Sequence, residues 1–364
     1  EERKALSLER RREREALRAH YGYAIVNGQR VELGAYMVEP SGIFMGRGQH
    51  PLRGRWKEGA QQRDITLNMG PDATLEGDWA EIVWQPESLW VARWKDKLSD
   101  KLKYIWLSDT APVKQAREAQ KFDQAIALDA HIERVRQEIE RALSDDDARR
   151  RMIATACYLI DALCLRVGDE KEADEADTVG ATTLRPEHIT LHDDGRAEFR
   201  FLGKDSVEWH KTIALPPQVL ANLQELIAAA RPSSAAGDGN SAARDLPQIF
   251  PDVNSGHVNA FLSGILPGLS AKVFRTHHAT RSVEDSLRTA KVKAADAEYR
   301  KWQAASEANL QAAMLCNHTK QWRGDPETVA QRHHERRAKA EERLARATRQ
   351  EKECRAALPK PWAR

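Results

Sequence analysis

The texture of this chain changes once, and that change limits the folds open to it. From Tyr21 to about Leu107, glycine and proline punctuate six short β-prone runs: YAIV, AYMV, DITLNM, AEIVW, LWVARW and KYIWL. Short strands separated by turn residues predict a β-rich region. From about Ala111 the spacing of apolar residues becomes helical. Phe122, Ile126, Ile132, Val135 and Ile139 mark a long helix over Ala116–Leu143, and Ile153, Cys157, Ile160 and Cys164 mark the next. Ser144 and the run Asp145-Asp146-Asp147 supply N-cap chemistry between the two. Gly168 reads as the stop of the second helix, which puts Arg166 in its last turn. Segregated strands and helices imply an α+β class.

A single β element intrudes on the helical region. Phe199 and Phe201 alternate with Arg200, and Val207 and Trp209 flank Glu208, around the turn Gly203-Lys204-Asp205-Ser206. Lys204 is therefore offered at a hairpin tip. Ala229–Asp245 is rich in Ala, Ser and Gly and reads as a loop. Helices are expected again over Val258–Leu266, from Ser282, and over Ala304–Leu315. After Pro326 a long polar helix runs to about Ala357. Residues before about Ala19 form a helical pattern with almost no apolar face. Six of the ten tryptophans fall in the β-rich region, and their size predicts that most are core.

Charge is local rather than global. The 57 Lys and Arg nearly cancel the 55 Asp and Glu. The two ends interleave both signs, as a solvated helix does. The block EPSGIFMGRGQHPLRGRWK is different, with Arg47, Arg53 and Arg55 set among Gly46, Gly48 and Gly54. Glycine allows close backbone approach to a ligand and arginine supplies the charge, so this block points to phosphate contact. The four cysteines lack a CxxC pair and read as reduced intracellular thiols. No apolar run reaches the ~20 residues of a membrane span, and a membrane partner is not expected. His277, His278, His318, His333 and His334 lack the spacing of a zinc site, so no metal or other cofactor is expected.

Four polar landmarks stand apart: Arg166 in LCLRVGDEK, Lys204 in FLGKDS, Arg275 in AKVFRTHHAT and His318 in LCNHTK. Each has an ordinary explanation. Arg166 suits a helix C-terminus or a salt bridge to the acids that follow it (Asp169, Glu170, Glu172, Asp174, Glu175, Asp177). Lys204 suits a solvated turn, and Asn317-His318 suits a helix cap. Arg275 before Thr276 is expected to open a helix, where the dipole favours an anion. Taken together, the set fits a phosphodiester. Arginine grips phosphate bidentately, lysine can act as an acid, and histidine can donate to a phosphoryl oxygen.

In their order, EPSGIFMGRGQHP, KYIWL, LCLRVGDEKEADEADTVGATTLRPEHI, FLGKDS, GLSAKVFRT and LCNH resemble the eukaryotic-type DNA topoisomerase I family, a type IB enzyme, over about Tyr21 to His318. The resemblance implies a bilobed clamp on duplex DNA. It divides the chain into a charged helix (1–20), a β-rich cap lobe (21–107), a mainly helical catalytic lobe with the small hairpin (108–320) and a linker helix (321–364). It implies that Arg166 and Arg275 bind the scissile phosphate, that Lys204 protonates the leaving 5′ oxygen, and that His318 donates to a non-bridging oxygen. Arg47, Gly48, His50, Arg53, Lys103, Asp205, Lys272 and Thr276 are the implied DNA contacts. No ATP or metal is implied, and the expected location is intracellular and DNA-associated.

Two departures stand out. The family's nucleophile is a tyrosine in an SKxxY segment, a context that none of Tyr21, Tyr23, Tyr36, Tyr104, Tyr158 and Tyr299 has. A C-terminal segment or a second polypeptide is expected to carry it. Also, FRTHHAT replaces the family's aromatic-Asn-Ala-Ser after the arginine. The rival readings are a non-catalytic DNA clamp on the same fold and, less in keeping with EADTVGATTLR, a tyrosine recombinase.

Overall fold

The computed structural model describes residues 2–73, 75–169, 178–230, 247–318 and 325–357. The polypeptide falls into two units, Glu1–Asn317 and His318–Arg364.

The first unit begins with α1 (Glu2–Tyr21), none of whose residues is buried. The hairpin of β1 (Tyr23–Val26) and β2 (Gln29–Glu32) turns through Asn27-Gly28, both at positive φ. That dipeptide is the favoured two-residue hairpin turn and foretells β2, a strand too polar to stand out by itself. β3 (Gly42–Ile43) pairs with β4 (Trp56–Lys57), and the Gly-rich basic block loops between them. A four-stranded sheet follows, built from β5 (Ile65–Asn68), β6 (Glu81–Val83), β7 (Trp90–Lys95) and β8 (Leu102–Trp106) in the order β6-β5-β7-β8. Ile65, Leu67, Trp94 and Ile105 form its core. The run AYMV is not a strand. The tryptophans also depart from expectation. Trp90 and Trp94 are buried, but Trp56, Trp84 and Trp106 are exposed. Trp56 lies opposite Ile43 in a two-stranded ribbon that no described residue covers on that face, so both side chains are exposed.

The helical region holds a separate, larger core. It comprises α2 (Pro112–Ala142), α3 (Ala148–Leu163), the sheet β9 (Ile189–Leu191), β10 (Arg196–Gly203) and β11 (Val207–Ala214), then α4 (Pro217–Ala230), α5 (Ser255–Ile265), α6 (Ala271–Ala290) and α7 (Glu298–Leu315). Leu128, Leu159, Ile160, Phe199, Leu223, Phe250 and Phe274 are sealed inside it. Asp147 caps α3 by accepting from the Arg149 amide at 2.9 Å, as its sequence predicts.

Three helix boundaries correct the sequence reading. α3 ends at Leu163 because Cys164 takes the left-handed conformation (φ 55°), so Arg166 lies beyond the helix, not in its last turn. α6 runs from Ala271, which places Arg275 one turn inside it rather than at its opening. α7 begins at Glu298, ahead of the Ala-rich stretch.

The second unit contains α8 (Pro326–Ala357), a polar helix with exposed i,i+4 pairs such as Arg337–Glu341. Most of the loop expected over Ala229–Asp245 and the acids Glu170 to Asp177 lie outside the described residues. Among the described residues no helix is long and apolar enough to cross a membrane. All four cysteines are free, with Cys157, Cys164 and Cys316 buried.

Candidate nucleic-acid site

Arg275 is held by the ends of two helices. Its Nη1 donates to the carbonyl of Cys164 at 2.7 Å and its Nη2 to the carbonyl of Cys316 at 3.0 Å. These two cysteines are the C-cap residues of α3 and α7. The last carbonyls of a helix have no partner within it and carry the negative end of its dipole. Two such ends fix the guanidinium in one orientation. Burial, and then the nearby positive charge of Arg166, push the Arg275 pKa below the ordinary arginine value.

Arg166 is exposed, two residues past the Cys164 carbonyl that Arg275 grips. Its own carbonyl accepts from the Ala181 amide at 2.9 Å, while the Val179 amide donates to Leu202 at 2.8 Å. The segment Val179–Ala181 therefore ties the backbone after Arg166 to β10, two residues short of Lys204. The tie needs glycine twice. Gly168 (φ +88°) and Gly180 press backbone to backbone, and a Cβ on Gly180 would stand 2.5 Å from Gly168 Cα and 2.9 Å from the Arg166 carbonyl oxygen. The VGATT stretch of the sequence motif thus has a mechanical role: it sets the distance between the Arg166 segment and the hairpin.

The hairpin is anchored on its inner face by Phe199, Phe201 and Trp209, all buried. It turns through Lys204–Ser206, with Asp205 (φ 67°) and Ser206 (φ 58°) left-handed. Lys204 is exposed at the tip, as the sequence predicts. Asn317 Nδ2 donates to the Glu208 carbonyl at 2.8 Å, which joins β11 to the end of α7. Asn317 itself is left-handed (φ 52°), the conformation its residue type suits. His318 is exposed and is the first residue of the second unit.

The basic block meets the hairpin directly. Arg47 pairs with Asp205, and Gly48 packs so tightly on Ser206 that a Cβ there would lie 2.3 Å from its hydroxyl. His50 and Arg53 brace the block from within. His50 Nδ1 accepts from the Leu52 amide at 3.1 Å, and Arg53 Nη1 donates to the Gly48 carbonyl at 2.8 Å. At its base, buried Lys57 is paired with Glu39 and, at 2.6 Å, with Asp96. Lys272 is exposed in the first turn of α6, three residues before Arg275. Lys103 lies on β8 opposite Trp94, and the contacts above do not include it. Thr276 faces inward; it is buried and its hydroxyl donates to the Lys272 carbonyl at 3.4 Å, so it offers no surface to a duplex.

Sequence reading missed the support beneath Arg275. His278 Nε2 bonds Asp161 at 2.6 Å, and Arg136 donates to the same carboxylate at 2.8 Å. Burial raises the Asp161 pKa, but the bonds from His278 and Arg136 outweigh it and hold the group below the ordinary carboxylate value. His277 bonds Asp129 at 2.9 Å. The paired histidines after Arg275 were the visible signal, read only as unconvincing metal ligands. Among the described residues no three His, Cys, Asp or Glu side chains cluster as metal ligands would.

Two potential nucleophiles of α3 and its C-cap are poorly suited to attack. Burial pushes the Cys164 thiol up to about 11. Burial and then Asp161 raise the Tyr158 phenol, the wrong direction for a phenolate.

The model of the eukaryotic DNA topoisomerase I catalytic core matches residues 110–355, and that of the same family's DNA binding fragment matches residues 1–107. The chain belongs to the eukaryotic DNA topoisomerase I family. Similar members include DNA topoisomerase 1 of Candidozyma auris, 36% identical over 87% of this chain and 42% of the relative. DNA topoisomerase 1 of Candida albicans is 35% identical over 82% of this chain and 37% of its own length. DNA topoisomerase I, mitochondrial, of Rattus norvegicus is 33% identical over 84% and 51%. The chain thus spans about half or less of the family members named here.

Proposed function

We propose that this chain is the core of a type IB DNA topoisomerase, with duplex DNA as its partner in an intracellular, DNA-associated setting. The observation that carries the reading is the pinned Arg275 beside Arg166. Burial and then the charge of Arg166 lower the basicity of Arg275, a half-buried guanidinium held by two helix ends, and this makes a site that an anion relieves. A backbone phosphate supplies that anion, and phosphoryl transfer needs fixed cations on its equatorial oxygens.

In this reading Arg166 and Arg275 hold the scissile phosphate, and His318 donates to a non-bridging oxygen. A tyrosine oxygen attacks phosphorus, the bond from phosphorus to the 5′ oxygen breaks, and Lys204 delivers a proton to that oxygen. The bond energy is conserved in a 3′-phosphotyrosyl link, so resealing needs no ATP. A further C-terminal segment or a second polypeptide brings the tyrosine. The basic block and Lys272 bind backbone phosphates, and Arg47 pairs with Asp205, the residue after Lys204.

The test is a nicked-duplex suicide substrate incubated with the chain, alone and with an SKxxY-bearing polypeptide, and run on a denaturing gel. Adduct with both pieces present, lost in Arg275→Ala while duplex binding persists, is the expected result. Tight, salt-dependent binding with no adduct in any mixture would make the chain a non-catalytic clamp.

A further inference from the structure

The two residues that grip Arg275 are both cysteines. Its Nη1 and Nη2 donate to the carbonyls of Cys164 and Cys316 at 2.7 Å and 3.0 Å. Those nitrogens belong to one planar guanidinium, so the two carbonyls, and the residues that bear them, are held side by side. The side chains converge as well. The guanidinium also donates to the Cys316 sulfur, and the Cys316 thiol lies near enough for its charge to act on Cys164. Both residues are buried, Cys164 at 3% exposure and Cys316 at 8%. Neither thiol has a part in the phosphate chemistry proposed above. Cys164 is also an unusual occupant of its position. It caps α3 at φ 55°, a conformation that glycine or asparagine adopts at lower cost.

We infer that Cys164 and Cys316 form a redox site that takes a small hydroperoxide, and that the disulfide they close shifts Arg275 and lowers DNA cleavage; the second half rests on the reading of the phosphate site given above. Cys316, the less buried, meets the oxidant first, because burial pushes the Cys164 thiol up to about 11 and the thiolate is the reactive form. Its sulfur attacks one peroxide oxygen and the O–O bond breaks. The sulfur becomes a sulfenic acid, and the other oxygen leaves as water or an alcohol. The Cys164 sulfur then attacks the sulfenic sulfur. The S–S bond forms, the S–O bond breaks, and the hydroxyl leaves as water with the proton of the Cys164 thiol. Two thiols have lost two electrons and two protons, and the peroxide has taken up both. A disulfide holds its Cβ atoms about 3.5–4.5 Å apart. Closing one here draws the C-caps of α3 and α7 together and takes from Arg275 the sulfur it bonds, so the pair of carbonyls that orients the guanidinium changes shape. In the intracellular setting proposed above such a bond is transient and reports the oxidant.

The experiment treats the full chain, carrying Cys354→Ser to remove the exposed thiol of α8, with hydrogen peroxide. Its disulfides are mapped by mass spectrometry after alkylation and proteolysis. A peptide pair joining Cys164 to Cys316 is expected, separated by dithiothreitol, with the wholly buried Cys157 left reduced. In Cys164→Ser the reaction is expected to stop at the sulfenic acid, which dimedone labels on Cys316. The oxidised chain, mixed with the SKxxY-bearing polypeptide and the suicide substrate, should yield at least about 10-fold less adduct than the reduced chain, because a small displacement of a positioned group costs rate steeply. Dithiothreitol should restore the adduct. Absence of the joined pair, equal dimedone labelling of Cys316 with and without Cys164→Ser, or a joined pair with undiminished adduct would each overturn the inference. The map needs no change at either cysteine, so it decides the matter even where Cys164→Ser fails to fold. The two readings fail separately. No adduct from the reduced chain counts against the phosphate site and leaves the disulfide to the peptide map, whereas adduct without a joined pair counts against the redox site alone.

Discussion

His278 and Asp161 bond at 2.6 Å one helical turn from the bond between Arg275 and the Cys164 carbonyl, so α3 and α6 are pinned twice in antiparallel register. The first pin is a hydrogen bond to a carboxylate that Arg136 also pairs with; the second places the arginine of the candidate site. The position of Arg275 is thus referred back to a buried carboxylate.

Asp161→Asn is expected to cost about 1–2 kcal/mol at neutral pH, because it takes the charged acceptor from a half-buried histidine and an exposed arginine. Asp161 is depressed in the folded state, so its contribution is whole above the unfolded value of about 3.9 and drains as pH falls through the lower folded value. Urea unfolding of parent and variant should therefore show a gap at pH 7 that narrows below pH ~4. A gap that stays constant to pH ~3 would mean that Asp161 is not the group whose charge matters.

Gly180→Ala forces a Cβ into the Gly168 backbone, which cannot swing aside as a side chain can. A stability loss of about 2 kcal/mol or more is expected, together with reduced adduct formation as the Arg166 segment shifts. Gly264→Ala, where a Cβ meets open space on α5, should leave stability unchanged or raise it. Thermal unfolding of the two variants side by side gives the answer, and equal midpoints would contradict the spacer role of Val179–Ala181.

Asp205→Asn releases Arg47 from an exposed pair. Such pairs contribute little to stability, so the thermal midpoint should hardly move. Duplex binding should tighten, and the slope of log affinity against log salt should steepen by about 1 as one more cation reaches a phosphate. An unchanged slope would show that Arg47 does not reach DNA.

Lys204→Ala should abolish adduct formation on an ordinary substrate and recover it on one with a 5′-thio leaving group, which departs without a proton. If sulfur brings no recovery, Lys204 is not the acid.

How far the sequence could be read depended on the range of the interactions involved. The lysine hairpin was legible because two-residue alternation and a turn are local events. So was the Asp147 cap, and so was the family, through an ordered series of short motifs. Helix ends were not. Gly168 looked like the stop of α3, yet Cys164 took the left-handed conformation, since Leu165, Val179 and Ala181 needed burial there and the Cys164 carbonyl met Arg275. Tryptophan burial misled in the same way. Size predicts a core residue, but exposure was decided by whether a neighbouring element covers that face of the ribbon.

By itself, then, the sequence determined the order of strands and helices, the lysine at the hairpin tip, and membership of a family. Only the tertiary structure decided that Arg275 spans two helix ends 152 positions apart (316 minus 164) and that Asp161 and His278 support it. The reason is physical. Backbone preferences and apolar periodicity act over a few residues, whereas a helix-end carbonyl finds its donor through core packing that no local window contains.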